Sequence, residues 1–288
     1  MYRTSAPTLS RPAPTRTLGL ARVVRTRVAP DRALDDEFSL RHFTDLTSGY
    51  GVALRPDAFS SPGTTFTALT RSLHAALEPL GPVQLALVAH ATPDLDCRLA
   101  AATYLAEAVP GAPLSFSVSE VGRCAPFAAL RIASDYATRH GYSRALVVVA
   151  DQATLPYEVD SPPAGDAGVA LLLEPGGAPL SLVHTPGVSA ADLPAAVAAG
   201  LASVVGEDDR VAVVAGAGID PELVRRGGTV RSVPGGYPCT ALWEGLASSL
   251  GRVVLVEHDP ATGDLGIAAI GPEPGSDSGP GSGSEVAR

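Results

Sequence analysis

Short apolar, β-branched runs alternate along this chain with longer Ala- and Leu-rich stretches, and this alternation constrains the fold more than any other feature. Buried strands separated by helical stretches are typical of sheets whose strands are connected by crossover helices. The first series of runs predicts strands over residues 18–28, 85–89, 114–118, 145–150 and 167–173, and helices over 65–80, 96–108 and 124–140. The chain is therefore predicted to belong to the α/β class.

A second series of the same kind follows the first. It predicts strands over 180–184, 211–215 and 229–232, helices over 190–205, 221–226 and 239–250, and a final hairpin of 253–256 with 266–270. Because both series show the same order of elements, we expect a duplicated βαβαβ unit. Its halves, 18–175 and 176–270, would pack as layers with helices between two sheets. Residues 1–17 and 271–288, rich in Pro, Thr, Ser and Gly, are predicted to be flexible tails.

The composition excludes several kinds of chemistry. The 288 residues carry a net charge of −9 and include neither lysine nor asparagine. Schiff-base lysines, P-loop lysines and asparagine oxyanion donors are therefore ruled out. The acidic balance without a basic cluster argues against nucleic acid as a partner. No run approaches the roughly 20 apolar residues of a membrane span, and the N-terminus lacks a signal-peptide core, so we expect a cytoplasmic protein that does not bind membranes.

Three cysteines, Cys97, Cys124 and Cys239, occur without CxxC spacing, which predicts neither a disulfide framework nor a metal site. Two of them begin predicted helices with small, apolar first turns. At a helix N-terminus, the macrodipole lowers the pKa of a thiol, and the cysteine's own backbone N–H can stabilise an acyl oxyanion. Cys124 is therefore a candidate nucleophile. The alternative, that Cys124 is a small buried hydrophobe, stays open.

The residues around Cys124 resemble a known family. Cys124-Ala125-Pro126-Phe127 is similar to the nucleophile motif C-[AS]-G-F of the β-ketoacyl-acyl-carrier-protein synthase III group within the thiolase-fold condensing enzymes. Ala91-Thr92-Pro93-Asp94 resembles the T-T-P-D turn of that group, and Gly165-Asp166-Ala167-Gly168 resembles its G-D-[GA]-[AG] loop. The resemblance covers residues 18–270. It implies a five-layered thiolase fold, an acyl-cysteine intermediate, a homodimer, and acyl-coenzyme A or an acyl-carrier protein as substrate without a further cofactor.

The second half departs from the family. Where the family has H-Q-A-N, this chain has Ala215-Gly216-Ala217-Gly218, and Gly236-Tyr237-Pro238-Cys239-Thr240 replaces G-N-T-[SA]-A. The missing His and Asn normally stabilise the enolate that forms when a malonyl thioester loses CO₂. We therefore expect acyl transfer through Cys124 to an amine, hydroxyl or thiol, in polyketide or fatty-acid-like secondary metabolism, rather than carbon–carbon bond formation.

Two histidines are candidate bases for Cys124. His258 lies in the predicted turn 257–259, where the family has a loop that closes over the nucleophile, and His90 lies at the end of a predicted central strand. A solvated turn histidine and a core or dimer-contact histidine are the respective alternatives. The remaining histidines, His42, His74, His140 and His184, are predicted to be surface or strand-end residues.

Other candidate residues follow from the resemblance. Cys239, Tyr237 and Phe127 are predicted to line the substrate pocket, with a plain core role as the alternative for Cys239. Arg225 and Arg226 are predicted to dock the acidic carrier protein, with a solvated pair as the alternative. Cys97 receives no role.

Three functions remain open at this point. The first is an acyltransferase that uses Cys124. The second is a catalytically degenerate subunit that completes a heterodimer with an active synthase, and the third is a hydrolase that releases the acyl group to water. Acylation of Cys124 separates the second from the others.

Overall fold

The computed structural model describes residues 18–30, 33, 35–159, 162–206, 210–248 and 251–272. The predicted tail 1–17, and all but the first two residues of the predicted tail 271–288, lie outside these ranges. The described residues form two five-stranded mixed sheets, and the strands of each sheet come from one half of the chain.

The first sheet has the strand order β1-β5-β4-β2-β3. Strand β2 is parallel to both of its neighbours, β3 and β4, whereas β5 is antiparallel to β4 and β1. The strands are β1 (Gly19–Thr26), β2 (Leu85–Ala89), β3 (Leu114–Val118), β4 (Ala145–Asp151) and β5 (Ala167–Glu174). The helices of this half are α1 (Glu37–Tyr50), α2 (Asp57–Ser60), α3 (Phe66–Leu77), α4 (Ala101–Ala108) and α5 (Ala125–His140).

The second sheet has the order β6-β10-β9-β7-β8, which repeats the first with every strand number raised by five. The two halves therefore share one topology, as the repeated sequence pattern predicts. The strands are β6 (Leu180–Thr185), β7 (Ala212–Ala215), β8 (Val230–Ser232), β9 (Val253–Asp259) and β10 (Asp264–Ile270). The helices are α6 (Leu193–Val205) and α7 (Ala241–Glu244), with 3₁₀ turns at Gly122–Cys124, Pro221–Val224 and Gly245–Ser248.

Sheets and helices stack in five layers. Apolar side chains of α3 and α4, such as Leu73 and Leu105, pack on the outer face of the first sheet. Phe127 of α5 and Trp243 of α7 belong to the cluster between the two sheets. Helix α6 covers the outer face of the second sheet with residues such as Leu201. The fold class is thus the predicted one: α/β, five-layered, with two equivalent halves.

The structure differs from the sequence prediction in several elements, of which four bear on the site or the core. Helices α1 and α2 are not predicted. Helix α1 begins after the capping side chain of Asp36, but it buries the polar Ser39 and Thr47 on either side of Phe43 and therefore shows no apolar period. Helix α7 is a single turn followed by a 3₁₀ turn at Gly245, a residue that weakens helices. Strand β9 continues through Asp259, so the predicted turn at 257–259 is wrong.

No helix in the described part of the chain combines the length and the apolar character that a membrane span needs.

Candidate active site

Cys124 lies at the start of the buried helix α5. The 3₁₀ turn Gly122–Cys124 leads into the 16-residue helix, and Pro126 occupies its first turn, where a missing N–H has no cost. The Cys124 side chain is 0% exposed. Its backbone N–H donates to the Val121 carbonyl at 3.0 Å. The N–H that was expected to stabilise an oxyanion is therefore already bonded.

The Cys124 thiol is held in its neutral form. Its Sγ lies 3.2 Å from the Asp264 carbonyl oxygen and 3.6 Å from that of Glu257, both on the second sheet, so the S–H donates to them. Burial raises the pKa of this thiol well above its usual range, and the nearby charges of Glu257, Asp264 and Asp259 raise it further. A thiolate in this position is destabilised both by the loss of solvent and by the neighbouring carboxyl groups.

The end of β9 holds the cysteine turn in place. The backbone N–H of Arg123 donates to Oδ2 of Asp259 at 2.9 Å, and Oδ1 of Asp259 accepts from Ala261 at 2.9 Å. A Cβ added to Gly122 would overlap the same carboxylate. Asp259 therefore joins the β9–β10 hairpin directly to the turn that carries Cys124.

Glu257 fills the space beside the stretch 215–218, which stands where the resembled family has H-Q-A-N. Its Oε1 accepts from the N–H groups of Gly218 at 2.9 Å and His258 at 3.0 Å. A Cβ added to Gly216 would overlap the Glu257 carboxylate. Burial raises the pKa of Glu257 to about 7. Residues 215–218 carry no side chain larger than a methyl group, and the buried carboxyl group of Glu257 occupies the space beside them.

Asp151, at the end of β4, positions the start of α7. Its carboxylate accepts from the Cys239 N–H at 3.1 Å, from the Thr240 N–H at 2.9 Å and from the Thr240 hydroxyl at 2.8 Å. Burial raises the pKa of Asp151 to about 6. Cys239 is buried in the same cluster as Cys124, and its Sγ lies 3.7 Å from the Gly122 carbonyl oxygen. Both cysteines therefore lie in the core cluster between the two sheets.

His258 does not face Cys124. Along β9, Leu255 belongs to the central cluster and Val256 to the cluster under α6, and His258 has the register of Val256. Its Nε2 lies 3.4 Å from the Val188 carbonyl oxygen, in the outer cluster. The side chain is therefore on the far face of the sheet, and the expected contact with the Cys124 sulfur is not formed.

His90 also lies on an outer face. Its Nδ1 lies 2.7 Å from the Thr92 carbonyl oxygen, and its ring centroid is 4.9 Å from that of Phe66, the first residue of α3. Phe66 packs on the side of the first sheet opposite α5. Each predicted base thus lies on the outer face of its sheet, on the side away from the central layer that contains Cys124.

The sequence analysis gave His184 no role at the site and predicted it to be a surface or strand-end residue. It lies next to the last residue of β6, but it is not at the surface: its side chain is 4% exposed, and Nε2 lies 2.9 Å from Oδ1 of Asp264, which is 6% exposed. Its Nδ1 is buried without a hydrogen-bond partner among the described residues. The signal was present in the sequence, since His184 follows Leu180 and Leu182 with the strand period of two.

The predicted pocket residues occupy different surroundings. The Phe127 ring is fully buried, 5.1 Å from the Trp243 ring, and fills core space beside Gly266. The Tyr237 ring lies 4.2 Å below the Arg27 guanidinium.

The two predicted docking arginines have different partners, a carboxylate for Arg225 and a backbone carbonyl for Arg226. Arg225 donates to Glu222 at 2.7 and 3.0 Å, which balances its charge. Arg226 donates to the Gly206 carbonyl at 3.4 Å.

Cys124 lines none of the four best-formed cavities of the described residues. The cavities of about 670, 390, 360 and 260 Å³ found in the described residues are lined by other side chains. In the same residues, no group of three or more His, Cys, Asp or Glu side chains is arranged to hold a metal ion.

Comparison with known proteins identifies the fold. Neither the protein-family models nor the curated proteins gave a match to this sequence. A 3-oxoacyl-(acyl-carrier protein) synthase from Burkholderia xenovorans superposes with a TM-score of 0.59 and 17% identity, covering 90% of this chain and 95% of its own. A tetronic acid condensing enzyme gives 0.61 and 17%, covering 89% of this chain and 100% of its own.

An OleA variant from Xanthomonas campestris, solved with lauric acid and lauroyl-CoA, gives a TM-score of 0.54 and 14% identity, covering 89% of this chain and 99% of its own. At these identities the likeness concerns the fold alone. The chain therefore has the thiolase-type fold of the condensing enzymes, and the predicted resemblance is confirmed at that level.

Proposed function

We propose that this chain is a catalytically silent protein with the condensing-enzyme fold, which completes a dimer with an active chain of the same fold. One observation carries the proposal: the Cys124 thiol is fully buried and donates to two backbone carbonyls among carboxylates. The chain has the fold of the condensing enzymes and a cysteine at the start of α5, but the groups around this cysteine oppose its reaction as a nucleophile.

Acyl transfer through a cysteine needs a thiolate, a base within hydrogen-bond reach, an oxyanion hole and access for the thioester. Here the carboxyl groups of Glu257, Asp259 and Asp264 raise the pKa of the Cys124 thiol, which opposes the thiolate. The Cys124 N–H is bonded to Val121. His90 and His258 face away, and His184 is paired with Asp264.

The dimer part of the proposal is supported by strand β3, the edge of the first sheet. Leu114 on this strand is 46% exposed. Phe116 packs on Tyr136 of α5, and Tyr136 in turn contacts Tyr142. Unpaired strand edges readily accept a further strand, so a second chain of this fold is the partner we propose for this edge.

Acyl transfer through Cys124 is the second candidate function, with an acyl-coenzyme A or an acyl-carrier protein as donor. The observation in its favour is the position of Cys124 at the N-terminus of α5, where the helix dipole stabilises negative charge. It requires a rearrangement of the β9–β10 hairpin, which now joins Asp259 to the cysteine turn.

Intact mass spectrometry after incubation with acetyl-, malonyl- and octanoyl-coenzyme A tests the two functions. We expect no acyl adduct on either the native protein or Cys124→Ala. An adduct that appears in the native chain and disappears in Cys124→Ala would establish the second function and refute the first.

Sedimentation of the chain alone and of Leu114→Glu tests the dimer edge. Self-association that the charged variant abolishes would show that the β3 edge can pair with a second chain of this fold, which is the contact proposed for the active partner. Equal self-association of both proteins would place the contact elsewhere.

A further inference from the structure

We propose that a cavity on the outer face of the first sheet binds a small organic ammonium ion. The cavity has a volume of about 260 Å³, and the residues that carry the argument are His90, Asp94, Phe66, Val88, Pro93 and Ala101. This proposal does not depend on the state of Cys124, which lies in the central layer on the other side of the sheet.

The cavity lies at a usual binding position of α/β sheets. Val88 and His90 come from the carboxyl end of β2, and Ser117 comes from that of β3. The chain leaves β2 through α4 on the outer face and returns from β3 to β4 through α5 on the inner face. Ligands bind preferentially where crossover connections diverge in this way, outside the carboxyl ends of the strands.

His90 supplies a hydrogen-bond acceptor. Its Nδ1 lies 2.7 Å from the Thr92 carbonyl, which can only accept, so Nδ1 carries the proton. In the neutral ring, Nε2 then has a free lone pair. Burial lowers the pKa of His90, which keeps the imidazole neutral at pH 7. The ring therefore fits a ligand that donates a hydrogen bond.

Asp94 supplies a carboxylate with one unused oxygen. Its Oδ1 accepts from the backbone of Phe66 at 3.1 Å, the backbone of Asp96 at 3.3 Å and the side chain of Gln152 at 3.4 Å. Its Oδ2 is buried and has no hydrogen-bond partner among the described residues. Burial raises the pKa of Asp94 to about 6, so the group is mostly charged at pH 7.5. A buried carboxylate oxygen without a donor is unfavourable and favours a cationic donor.

The remaining walls suit a short hydrocarbon body. Phe66, Val88, Pro93 and Ala101 present apolar surface, and the Phe66 ring is available to a cation. An anion is disfavoured by Asp94 and Asp96, and a purely apolar molecule would leave Asp94 unpaired. A short alkylammonium ion matches both kinds of surroundings. Its charged group would pair with Asp94 and His90, and its hydrocarbon chain would contact the apolar walls.

Isothermal titration of the full chain with n-butylammonium chloride at pH 7.5 tests this site. We expect saturable binding in the millimolar range, and affinity at least about tenfold lower for 1-butanol, which has the same carbon skeleton without the charge. Asp94→Asn keeps an oxygen for the Phe66 and Asp96 amides but removes the charge, and should weaken binding by about tenfold or more. The matched control Asp57→Asn, at an exposed carboxylate that is not among the residues lining the cavity, should leave the affinity unchanged.

A second variant, His90→Phe, keeps an aromatic ring beside Phe66 and removes the acceptor, so it should also weaken binding. Lower pH should weaken binding as well, because Asp94 loses its charge near pH 6. The other titratable groups that line the cavity are His42, His90, Asp96 and Cys97. A positive charge on His42 or His90 would also weaken the binding of a cation. Absence of saturable binding, equal affinity for 1-butanol, or unchanged affinity in both variants would overturn the proposal.

Discussion

At the scale of single residues, Cys124 shows that position on a helix does not by itself make a cysteine reactive. The helix dipole of α5 favours the thiolate, but only within the first turn and by a modest amount. Burial and the carboxyl groups of Glu257, Asp264 and Asp259 act in the opposite direction and prevail, since the pKa of the thiol is raised. Those carboxyl groups come from β9 and β10, more than a hundred residues further along the chain.

We expect native thiol labelling to distinguish the three cysteines. Cys124 and Cys239 are 0% and 1% exposed, whereas Cys97 is partly exposed. Iodoacetamide should therefore add one carbamidomethyl group to the native protein and three to the denatured protein, as measured by intact mass. Cys97→Ala should remove the native modification. Rapid native labelling of Cys124 would mean that its burial is wrong.

Glu257 and Gly216 should be energetically coupled. Gly216→Ala forces a methyl group against the Glu257 carboxylate and should lower the free energy of unfolding by about 1–3 kcal/mol. Glu257→Ala leaves the N–H groups of Gly218 and His258 without this acceptor, at a cost of about 1–3 kcal/mol.

In the double variant the new methyl group enters the space left by Glu257, so the combined loss should be smaller than the sum by about 1 kcal/mol or more. Urea unfolding of the four proteins measures this difference. Additive losses would show that the carboxylate does not occupy the space beside Gly216.

At the scale of elements, the two halves are joined by short polar contacts at the ends of strands. Asp259 of β9 binds the turn before α5, and Asp151 of β4 binds the turn before α7. Each central helix is thus held at its start by a carboxylate from the sheet of the other half. This exchange places both cysteines in the same layer.

Asp151→Ala should detach the start of α7. The N–H groups of Cys239 and Thr240 and the Thr240 hydroxyl would lose this buried acceptor, and we expect a loss of about 1–3 kcal/mol in the free energy of unfolding. The fluorescence of Trp243, the single tryptophan, reports the position of α7, because its ring is 1% exposed against Phe127.

The emission of Asp151→Ala should shift to longer wavelength, and Asp151→Asn, which keeps one acceptor oxygen, should show a smaller change. An unshifted spectrum in the alanine variant would mean that packing alone holds α7.

At the scale of the whole molecule, the buried acids make stability depend on pH. The pKa of Glu257 is raised from 4.5 to about 7 in the folded protein, so between these values the folded state binds more protons than the unfolded state. Stability therefore falls as pH rises through this window, and the full penalty is present above it. Asp151, with a pKa raised from 3.8 to about 6, acts in the same direction at lower pH.

Glu257→Gln isolates this contribution from those of His90 and His184, whose lowered pKa values have the opposite effect on acidification. The variant should gain stability relative to the native protein as pH rises from about 5 to about 8. Thermal unfolding at matched pH values provides the measurement. A difference that is constant over this range would show that Glu257 titrates normally.

The sequence by itself determined the α/β class, the duplicated order of elements and most strand positions. Buried strands such as Leu85–Ala89 and Ala145–Asp151 are continuous apolar runs, and such runs are local signals. The apolar first half of α5 likewise predicts its central position. Helix α1 was missed, because two of its three buried residues, Ser39 and Thr47, are polar and produce no apolar period.

Only the tertiary structure decided the chemistry around Cys124. Successive side chains of a strand point to opposite faces of the sheet. The face on which His258 lies is therefore fixed only because β9 extends through Asp259. The carboxyl groups that keep the thiol neutral are distant in the chain and become neighbours only when the second sheet packs on α5. A pKa depends on these long-range neighbours and on burial, and neither is a property of the local sequence.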